Sequence, residues 1–244
     1  MATVNFIMQK KGGVGKSVSA SLLYQALLES GRTVLGVDTD PSNKSLAGYK
    51  ELKVTKLHIL NDEEDVDKTL FDALIDSICE LSEDAHVVID NGSSNFVALR
   101  SYLKINGVLP LLAEMGHEVR IHAIIAGGPD LLHTCIGLKE LAVDFPEAKL
   151  VPWLNPYNGD IVSDGKPFES LKVSKEHAHQ FLSLVEIPKR CQSAMFRKDL
   201  QNHFANQATF QTAIRNSTLP LMTKQRLKMF WDEAKRSIEA AKLL

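Results

Sequence analysis

Nine residues near the amino terminus, QKKGGVGKS at positions 9–17, constrain the fold of this chain more than any other stretch. They follow an apolar run, residues 3–8, and precede residues 16–30, whose apolar side chains recur at helical spacing. Because glycine has no Cβ, a glycine-rich turn can curl and point its N–H groups at phosphate oxygens. A helix that starts there adds unpaired N–H donors and the positive end of its dipole. The order of strand, loop and helix therefore predicts a phosphate-binding loop.

Two side chains of this loop carry the chemistry that a nucleotide needs. Lys16 supplies a positive charge for the β- and γ-phosphates, and the Ser17 hydroxyl is a suitable Mg²⁺ ligand. The strict pattern G-x-x-x-x-G-K-[ST] requires glycine at position 10, where this chain has Lys10. A further lysine, Lys11, precedes the double glycine. A plain glycine-rich turn is the alternative, and seven specified residues between the right elements argue against it.

Three aspartates at the ends of predicted strands are candidates for magnesium and water chemistry. Asp38 and Asp40 follow the predicted second strand, residues 33–37, and Asp90 ends the apolar run 85–90. Carboxylates suit a hard cation, and they can orient an attacking water. Asp-x-Asp-Pro is also an ordinary turn sequence, but its place at a strand end after a phosphate loop favours a site. Asp90 is predicted to support the Mg²⁺ ion.

The rest of the chain alternates predicted strands and helices, which predicts an α/β fold. We expect a doubly wound, mostly parallel sheet with helices on both faces and the nucleotide at the carboxyl ends of the strands. The 244 residues suit one domain, and residues 219–244 read as an amphipathic C-terminal helix. The further predicted strands are residues 108–112, 119–126, 150–154 and 185–188, and the further helices are residues 68–81, 96–105 and 129–143. An acidic loop is predicted at 61–67, and residues 42–60 are left unassigned.

Composition excludes some functions and leaves others open. With 28 Lys and Arg against 30 Asp and Glu, the net charge of −2 gives no global argument for nucleic-acid binding, although a local basic patch is not excluded. The three cysteines (Cys79, Cys135 and Cys191) are far apart and indicate neither a disulfide framework nor a metal site. No signal segment and no apolar run of 18 residues is visible, so we expect a cytoplasmic protein. The basic C-terminal helix either docks on the core or binds an anionic membrane.

Residues 11–17, KGGVGKS, resemble the deviant phosphate-binding loop of the ParA/MinD family of ATPases, and residues 38–41, DTDP, resemble its first switch. The resemblance implies that Lys11 reaches across a dimer interface to the nucleotide of the partner. It further implies that Asp40 positions the attacking water, that Asp38 supports the Mg²⁺ environment, and that residues 91–94 form the second switch. Asn155 would contact the adenine and Pro188 would lie against the base.

The resemblance yields a complete set of expected site residues. The expected catalytic residues are Lys11, Lys16 and Asp40; the nucleotide-binding residues are Lys11, Gly12, Gly13, Val14, Gly15, Lys16, Ser17, Val18, Asn155 and Pro188; and the metal ligands are Ser17, Asp38 and Asp90. ATP is favoured over GTP because the guanine-reading pattern Asn-Lys-x-Asp is absent: residues 43–46 read NKSL. The expected cofactors are therefore ATP and Mg²⁺.

Residues 114–118, 153–156 and 222–228 resemble a narrower branch, the TraL-type ATPases of conjugative plasmids. This implies a Mg²⁺-dependent ATPase switch with slow basal turnover that dimerises on ATP and assists conjugal transfer or plasmid stability. Its partners would be a second copy of itself and relaxosome or coupling proteins, with direct DNA and membrane contact left open. Two alternatives remain: a nucleotide-gated adaptor with little hydrolysis, and a membrane-surface ATPase that uses the C-terminal helix. The polar loop 158–167 is a candidate for partner specificity.

Overall fold

The computed structural model describes residues 1–40, 45–57, 70–81 and 83–244. The strands are β1 (Thr3–Met8), β2 (Thr33–Asp38), β3 (Val54–Lys56), β4 (Ala85–Asp90), β5 (Glu118–Ala126), β6 (Lys149–Asn155), β7 (Val162–Ser163), β8 (Lys166–Pro167) and β9 (Val185–Glu186). The helices are α1 (Lys16–Glu29), α2 (Leu70–Cys79), α3 (Phe96–Ile105), α4 (Val108–Glu114), α5 (Leu131–Asp144), α6 (Lys172–His177), α7 (Ala194–Ala205), α8 (Phe210–Arg215) and α9 (Leu221–Ala240).

Seven of the described strands form one sheet in the order β3-β2-β4-β1-β5-β6-β9, and every described pairing in it is parallel. The strand before the phosphate-binding loop, β1, lies in the middle. The chain passes first to β2 on one side and later to β5 on the other, so the loop lies where the winding direction reverses. The expected doubly wound, mostly parallel α/β fold is confirmed. Strands β7 and β8 form a separate antiparallel hairpin.

The sheet separates two layers of core side chains, and β1 shows how the sequence produces them. Val4, Phe6 and Met8 face the layer that contains α2 to α5, whereas Ile7 faces the layer that contains α1 and α7 to α9. Successive strand residues point to opposite faces, so a strand covered on both sides is mostly apolar along its whole length. For the same reason β4, which lies next to β1, is buried at all six positions.

The apolar stripe of the C-terminal helix α9 is buried in the second layer. Phe230 and Trp231 pack against Phe210 of α8, with the Trp231 ring stacked at 5.0 Å between centroids. The Trp231 indole N–H donates to Glu29 of α1 at 3.0 Å. The apolar face of this helix is therefore buried against the core. Among the described helices, none alone is long and apolar enough to span a membrane, and one bent pair, α3 with α4, would pass on length and composition.

One predicted strand is wrong: residues 108–112 belong to helix α4. Gly107, in the left-handed region at φ 57°, breaks the chain after α3 and lets a new helix begin. Val108, Leu109 and Leu112 then face the core together. In so short an apolar run, the spacing of the apolar residues does not distinguish a helix from a strand. Pro110 falls in the first turn of a helix, where no N–H is required.

Other predictions for connecting segments fall partly outside the described residues. The predicted acidic loop 61–67 lies outside them, as do the first two residues of the predicted helix 68–81, of which Leu70–Cys79 is helical. In the unassigned stretch 42–60, β3 adds an edge strand to the sheet. The polar loop 158–167 contains the β7–β8 hairpin.

Candidate nucleotide-binding site

The predicted phosphate-binding loop connects β1 to α1 at the carboxyl edge of the sheet. Gly13 and Gly15 have φ of 73° and 97°, in the left-handed region that favours glycine. A Cβ on Gly15 would lie 2.7 Å from Nδ2 of Asn155, so this glycine is also required for space. The loop thus has the tight curl that the sequence predicts, and it leads directly into the first turn of a 14-residue helix.

Lys16 turns back into the curl of this loop. Its Nζ donates to the carbonyl oxygen of Lys11 at 3.3 Å, and the residue is only 7% exposed. Burial lowers the pKa of Lys16, and the carboxylates of Asp90 and Asp40 oppose that shift. A buried cation in a glycine curl, near enough to two acids for their charges to act on it, is suited to bind an anion of higher charge, such as a di- or triphosphate.

Asp90 and Ser17 meet beside this lysine. The Asp90 carboxyl is buried, the Ser17 hydroxyl hydrogen-bonds to it, and Asp38 lies near enough to repel it. Burial raises the pKa of Asp90 to about 7, with Ser17 and Lys16 acting in the opposite direction. Within the described part of the chain, Oδ2 of Asp90 has no hydrogen-bond partner. A buried oxygen without a partner, next to a hydroxyl, is a donor set that fits Mg²⁺.

Asp38 is placed differently from Asp90, because backbone groups occupy its oxygens. Oδ1 accepts the N–H of Asp40 at 3.0 Å, and Oδ2 accepts the N–H of Ala47 at 2.9 Å. Burial raises the pKa of Asp38, and these two hydrogen bonds lower it. Asp38 therefore fixes the chain after β2, and its part in a metal site remains a prediction. Over the described ranges, no three His, Cys, Asp or Glu side chains form a metal cluster by themselves.

The two predicted switches are tied to each other at this edge. The Thr39 hydroxyl donates to Oδ1 of Asn91 at 3.0 Å, and Nδ2 of Asn95 donates to the Thr39 carbonyl at 2.5 Å. A Cβ on Gly92 would lie 3.0 Å from Cγ of Asp40, so the two segments touch. A movement of either segment must therefore be felt by the other.

Lys10 and Lys11, which distinguish this loop from the strict pattern, both reach acids of the α5 region. Nζ of Lys11 lies 3.3 Å from Oδ1 of Asp130, just before α5, and its side chain is 43% exposed. Nζ of Lys10 lies 3.3 Å from Oε1 of Glu140. Lys10 points away from the curl, which explains why a side chain is tolerated where the strict pattern has glycine. Asp130 was not predicted as a site residue; it directly follows the residues GGP at 127–129, which are typical of a turn.

A family model for the CobQ/CobB/MinD/ParA nucleotide-binding domain matches residues 6–209 of the chain. The chain belongs to this family. Protein TraL of Escherichia coli is 40% identical over 245 aligned residues, which cover all of both chains. Among solved structures, the MinD cell division protein of Aquifex aeolicus superposes with a TM-score of 0.54 at 12% identity, covering 98% of each chain. A ParA family ATPase of Chlorobium tepidum TLS gives 0.53 at 18% identity, covering 95% of this chain and 96% of that one.

As a CobQ/CobB/MinD/ParA domain, the chain contains a nucleotide-binding site, and of the two residues expected to contact the base, Asn155 lies against its loop. Nδ2 of Asn155, at the end of β6, donates to the Val14 carbonyl at 2.9 Å, and its Oδ1 accepts the N–H of Tyr157. Asn155 thus braces the loop. Pro188 is buried just after β9, two strands further from β1 than β5. Contact of either residue with a base remains a prediction.

Gln9 is a second loop residue whose role the sequence did not reveal. Its side chain is fully buried and donates to the carbonyls of Ile124 in β5 and Thr134 in α5, at 2.7 and 3.1 Å. Its Oε1 accepts the N–H of Lys10. Gly137 leaves the space, since a Cβ there would lie 2.0 Å from Oε1. In this member of the MinD/ParA family, Gln9 therefore anchors the start of the loop to the α5 layer.

The three segments typical of the TraL-type branch are spread over the molecule. Residues 153–156 brace the loop through Asn155. Residues 114–118 lie at the opposite, amino-terminal edge, where Glu118 pairs with Arg120 at 2.6 Å. Residues 222–228 lie on α9, where Arg226 pairs with Asp199 of α7 at 2.5 Å. Of these three segments, in the part of the chain that the structure describes, residues 153–156 are the ones that contact the loop.

Proposed function

We propose that the chain is a Mg²⁺-dependent ATPase switch that dimerises on ATP and assists plasmid conjugal transfer or plasmid stability. The observation that carries the proposal is the buried Lys16 inside a glycine curl, facing Asp90 and Asp40. Membership of the MinD/ParA family supports the chemistry. The role in transfer rests on the resemblance to TraL-type ATPases and on 40% identity to Protein TraL.

Each of the proposed site residues has a distinct part in the reaction. Lys16 and the N–H groups at the start of α1 hold the phosphates and spread the charge that develops on them. Ser17 and Asp90 would hold Mg²⁺, and the bound ion would neutralise charge that develops on the phosphates. Asp40 orients the attacking water, and Asp38 keeps Asp40 in place through its hydrogen bond to that backbone N–H.

Lys11 is proposed to act in the partner protomer. Its side chain lies at the surface, 43% exposed, on the face that carries the loop. A second cation reaching the γ-phosphate would resemble an arginine finger, a device worth on the order of 10³–10⁵ in rate. Because the site is complete only in the dimer, an isolated protomer turns over slowly. The rate of ATP hydrolysis would therefore report how much of the protein is dimeric.

The test separates assembly from hydrolysis. Mass is measured by light scattering with ADP and with ATP, and phosphate release is measured in parallel, for the wild type, Lys11→Ala and Lys10→Ala. We expect ATP to dimerise the wild type and Lys10→Ala, and Lys11→Ala to lose both dimerisation and hydrolysis. Lys10→Ala is the matched control, because Lys10 is the adjacent lysine and pairs with Glu140. Unchanged behaviour of Lys11→Ala would refute the trans role.

Three further outcomes discriminate among functions. Dimerisation on ATP without phosphate release, even with plasmid-encoded partners, would favour a nucleotide-gated adaptor. For the role in transfer, Lys16→Ala on the plasmid should lower transfer frequency while the protein is still produced. The membrane-surface alternative requires the apolar stripe of α9 to leave the core, where Leu227, Phe230 and Trp231 are at most 3% exposed. Removing residues 219–244 should therefore destabilise the protein.

A further inference from the structure

A groove lies between α5, the β7–β8 hairpin and α6, with a volume of about 800 Å³. We call it the α5 groove, and its lining contains none of residues 9–18. Three large apolar side chains that line it are solvent-exposed: Leu132 (69%), Ile136 (45%) and Val162 (48%). Leu132 and Ile136 are four residues apart on α5, so they project from the same face of the helix. A concave surface with exposed apolar side chains is typical of an interaction site.

The charged side chains that line the α5 groove are mostly positive. Four lysines line the groove (Lys139, Lys166, Lys172 and Lys175), against two acids (Asp164 and Glu176). Lys172 pairs weakly with Glu176 at 3.6 Å, and the other three lysines make no ion pair in the described part of the chain. The chain as a whole carries −2, so this local excess of positive charge is a feature of the groove. It complements an acidic ligand.

The turn before α5, residues 127–130, borders the groove and also contacts the nucleotide loop. The N–H of Gly128 donates to the Asp160 carbonyl at 3.2 Å, and a Cβ on Gly127 would lie 1.9 Å from the Gly159 carbonyl oxygen. The polar loop 158–167 is therefore packed on this turn without room for a side chain. Two residues further along the chain, Asp130 holds Lys11 at 3.3 Å. A ligand in the groove would thus lie against the segment that carries the acidic partner of Lys11.

We propose that the α5 groove docks an acidic amphipathic segment of another protein. The exposed apolar floor takes the apolar face of the segment, as in other helix-in-groove complexes, and the lysines pair with its carboxylates. Among the described residues, the lining contains no aromatic side chain on which a nucleic-acid base could stack. The surface is concave, whereas a membrane is flat. The proposal does not depend on ATP hydrolysis, since none of the lining residues belongs to the nucleotide loop.

The proposal can be tested with a displayed library of 16-residue peptides selected on the purified full-length protein. We expect the selected peptides to carry net negative charge with apolar residues at helical spacing. In fluorescence anisotropy, Ile136→Asp and the double variant Lys139→Glu/Lys175→Glu should each weaken their binding at least about tenfold. Ile105→Asp is the matched control, since Ile105 is an exposed isoleucine at the end of α3, and it should bind as the wild type does.

Several outcomes would overturn the proposal. One is a selection that gives no peptide whose binding depends on Ile136, and another is a set of peptides with net positive charge. Binding of single-stranded DNA or of phosphatidylglycerol vesicles that is lost in Lys139→Glu/Lys175→Glu, without such peptides, would assign the groove to those ligands instead. Thermal unfolding midpoints within about 2 °C of wild type show that the variants are folded. Failure of ATP-dependent dimerisation leaves this result unaffected, so the two proposals are tested separately.

Discussion

A buried histidine in the centre of the sheet makes the stability of this protein depend on pH in a predictable way. His122 of β5 lies between two polar side chains: its Nδ1 accepts the Trp153 indole N–H at 2.9 Å, and its Nε2 donates to Oδ1 of Asn5 at 3.0 Å. Asn5 in turn donates to the Val87 carbonyl at 3.1 Å. Protonation would place a second N–H against the Trp153 N–H, so this arrangement requires a neutral ring.

The magnitude follows from the pKa of this ring. Burial, with a smaller contribution from Arg120, lowers the pKa of His122 from 6.5 to about 3. Between these values the unfolded chain binds more protons than the native state, so the free energy of unfolding falls as pH falls below about 6.5. From pH 7.5 to pH 5, a group with these two pKa values loses about 2 kcal/mol of stability.

The perturbation is His122→Gln, which keeps a donor and an acceptor but does not titrate. Urea unfolding of the nucleotide-free protein, followed by far-ultraviolet circular dichroism at pH 7.5 and pH 5, gives the loss for each variant. We expect the wild type to lose about 2 kcal/mol more than His122→Gln. His133→Gln, at an exposed position on α5, is the control and should behave as the wild type. An equal loss in all three proteins, or an NMR titration of His122 near pH 6.5, would refute the reasoning.

Three further predictions concern the nucleotide loop. Asp130→Asn frees Lys11 from an exposed ion pair worth about 0.2–1 kcal/mol, and since each dimer has two such pairs, its ATP-dependent dissociation constant should fall about two- to thirtyfold in sedimentation equilibrium; no change, or a rise, would contradict this. Asn155→Ala removes the brace of the loop and should weaken ATP and ADP binding alike in calorimetry, whereas a loss confined to adenine over guanine nucleotides would indicate a base contact instead. Gly137→Ala displaces Gln9 from two buried hydrogen bonds, a loss of about 2 kcal/mol, of which the higher helix propensity of alanine offsets at most about 1 kcal/mol, so urea unfolding should show a net loss of about 1 kcal/mol; a variant as stable as the wild type would contradict this.

The sequence predicts well those elements around the candidate site that are contiguous in the chain. The loop, the strand before it and the helix after it are contiguous, so their residue types and spacing suffice. The aspartates at the ends of β2 and β4 are equally predictable, because parallel strands beside β1 deliver their carboxyl ends to one edge. Burial of Asp90 next to Ser17 follows from that topology.

Contacts between distant parts of the chain were not predictable in this way. The pair of Lys11 with Asp130 spans 119 positions, and the bond of Gln9 to the Ile124 carbonyl spans 115. No local spacing encodes either of them. The error at residues 108–112 is of another kind, because a five-residue apolar run carries too little periodicity to separate a helix from a strand. What decides there is Gly107 and the core face that α4 covers.

The two lysines ahead of the double glycine differ in whether the proposed reaction requires them to leave their present ion pairs. Lys10 points outward to Glu140 and has no part in the proposed reaction, so that reaction does not require this pair to break. Lys11, if it is to reach the nucleotide of a partner, must first leave Asp130. An exposed ion pair is worth at most about 1 kcal/mol, whereas a rate gain of 10³–10⁵ from a trans cation corresponds to about 4–7 kcal/mol of transition-state stabilisation. Asp130 can therefore restrain Lys11 in the free protomer without preventing Lys11 from moving to the nucleotide of the partner. A ligand that shifts the turn before α5 would change the strength of this ion pair more easily than it would change the hydrolysis step.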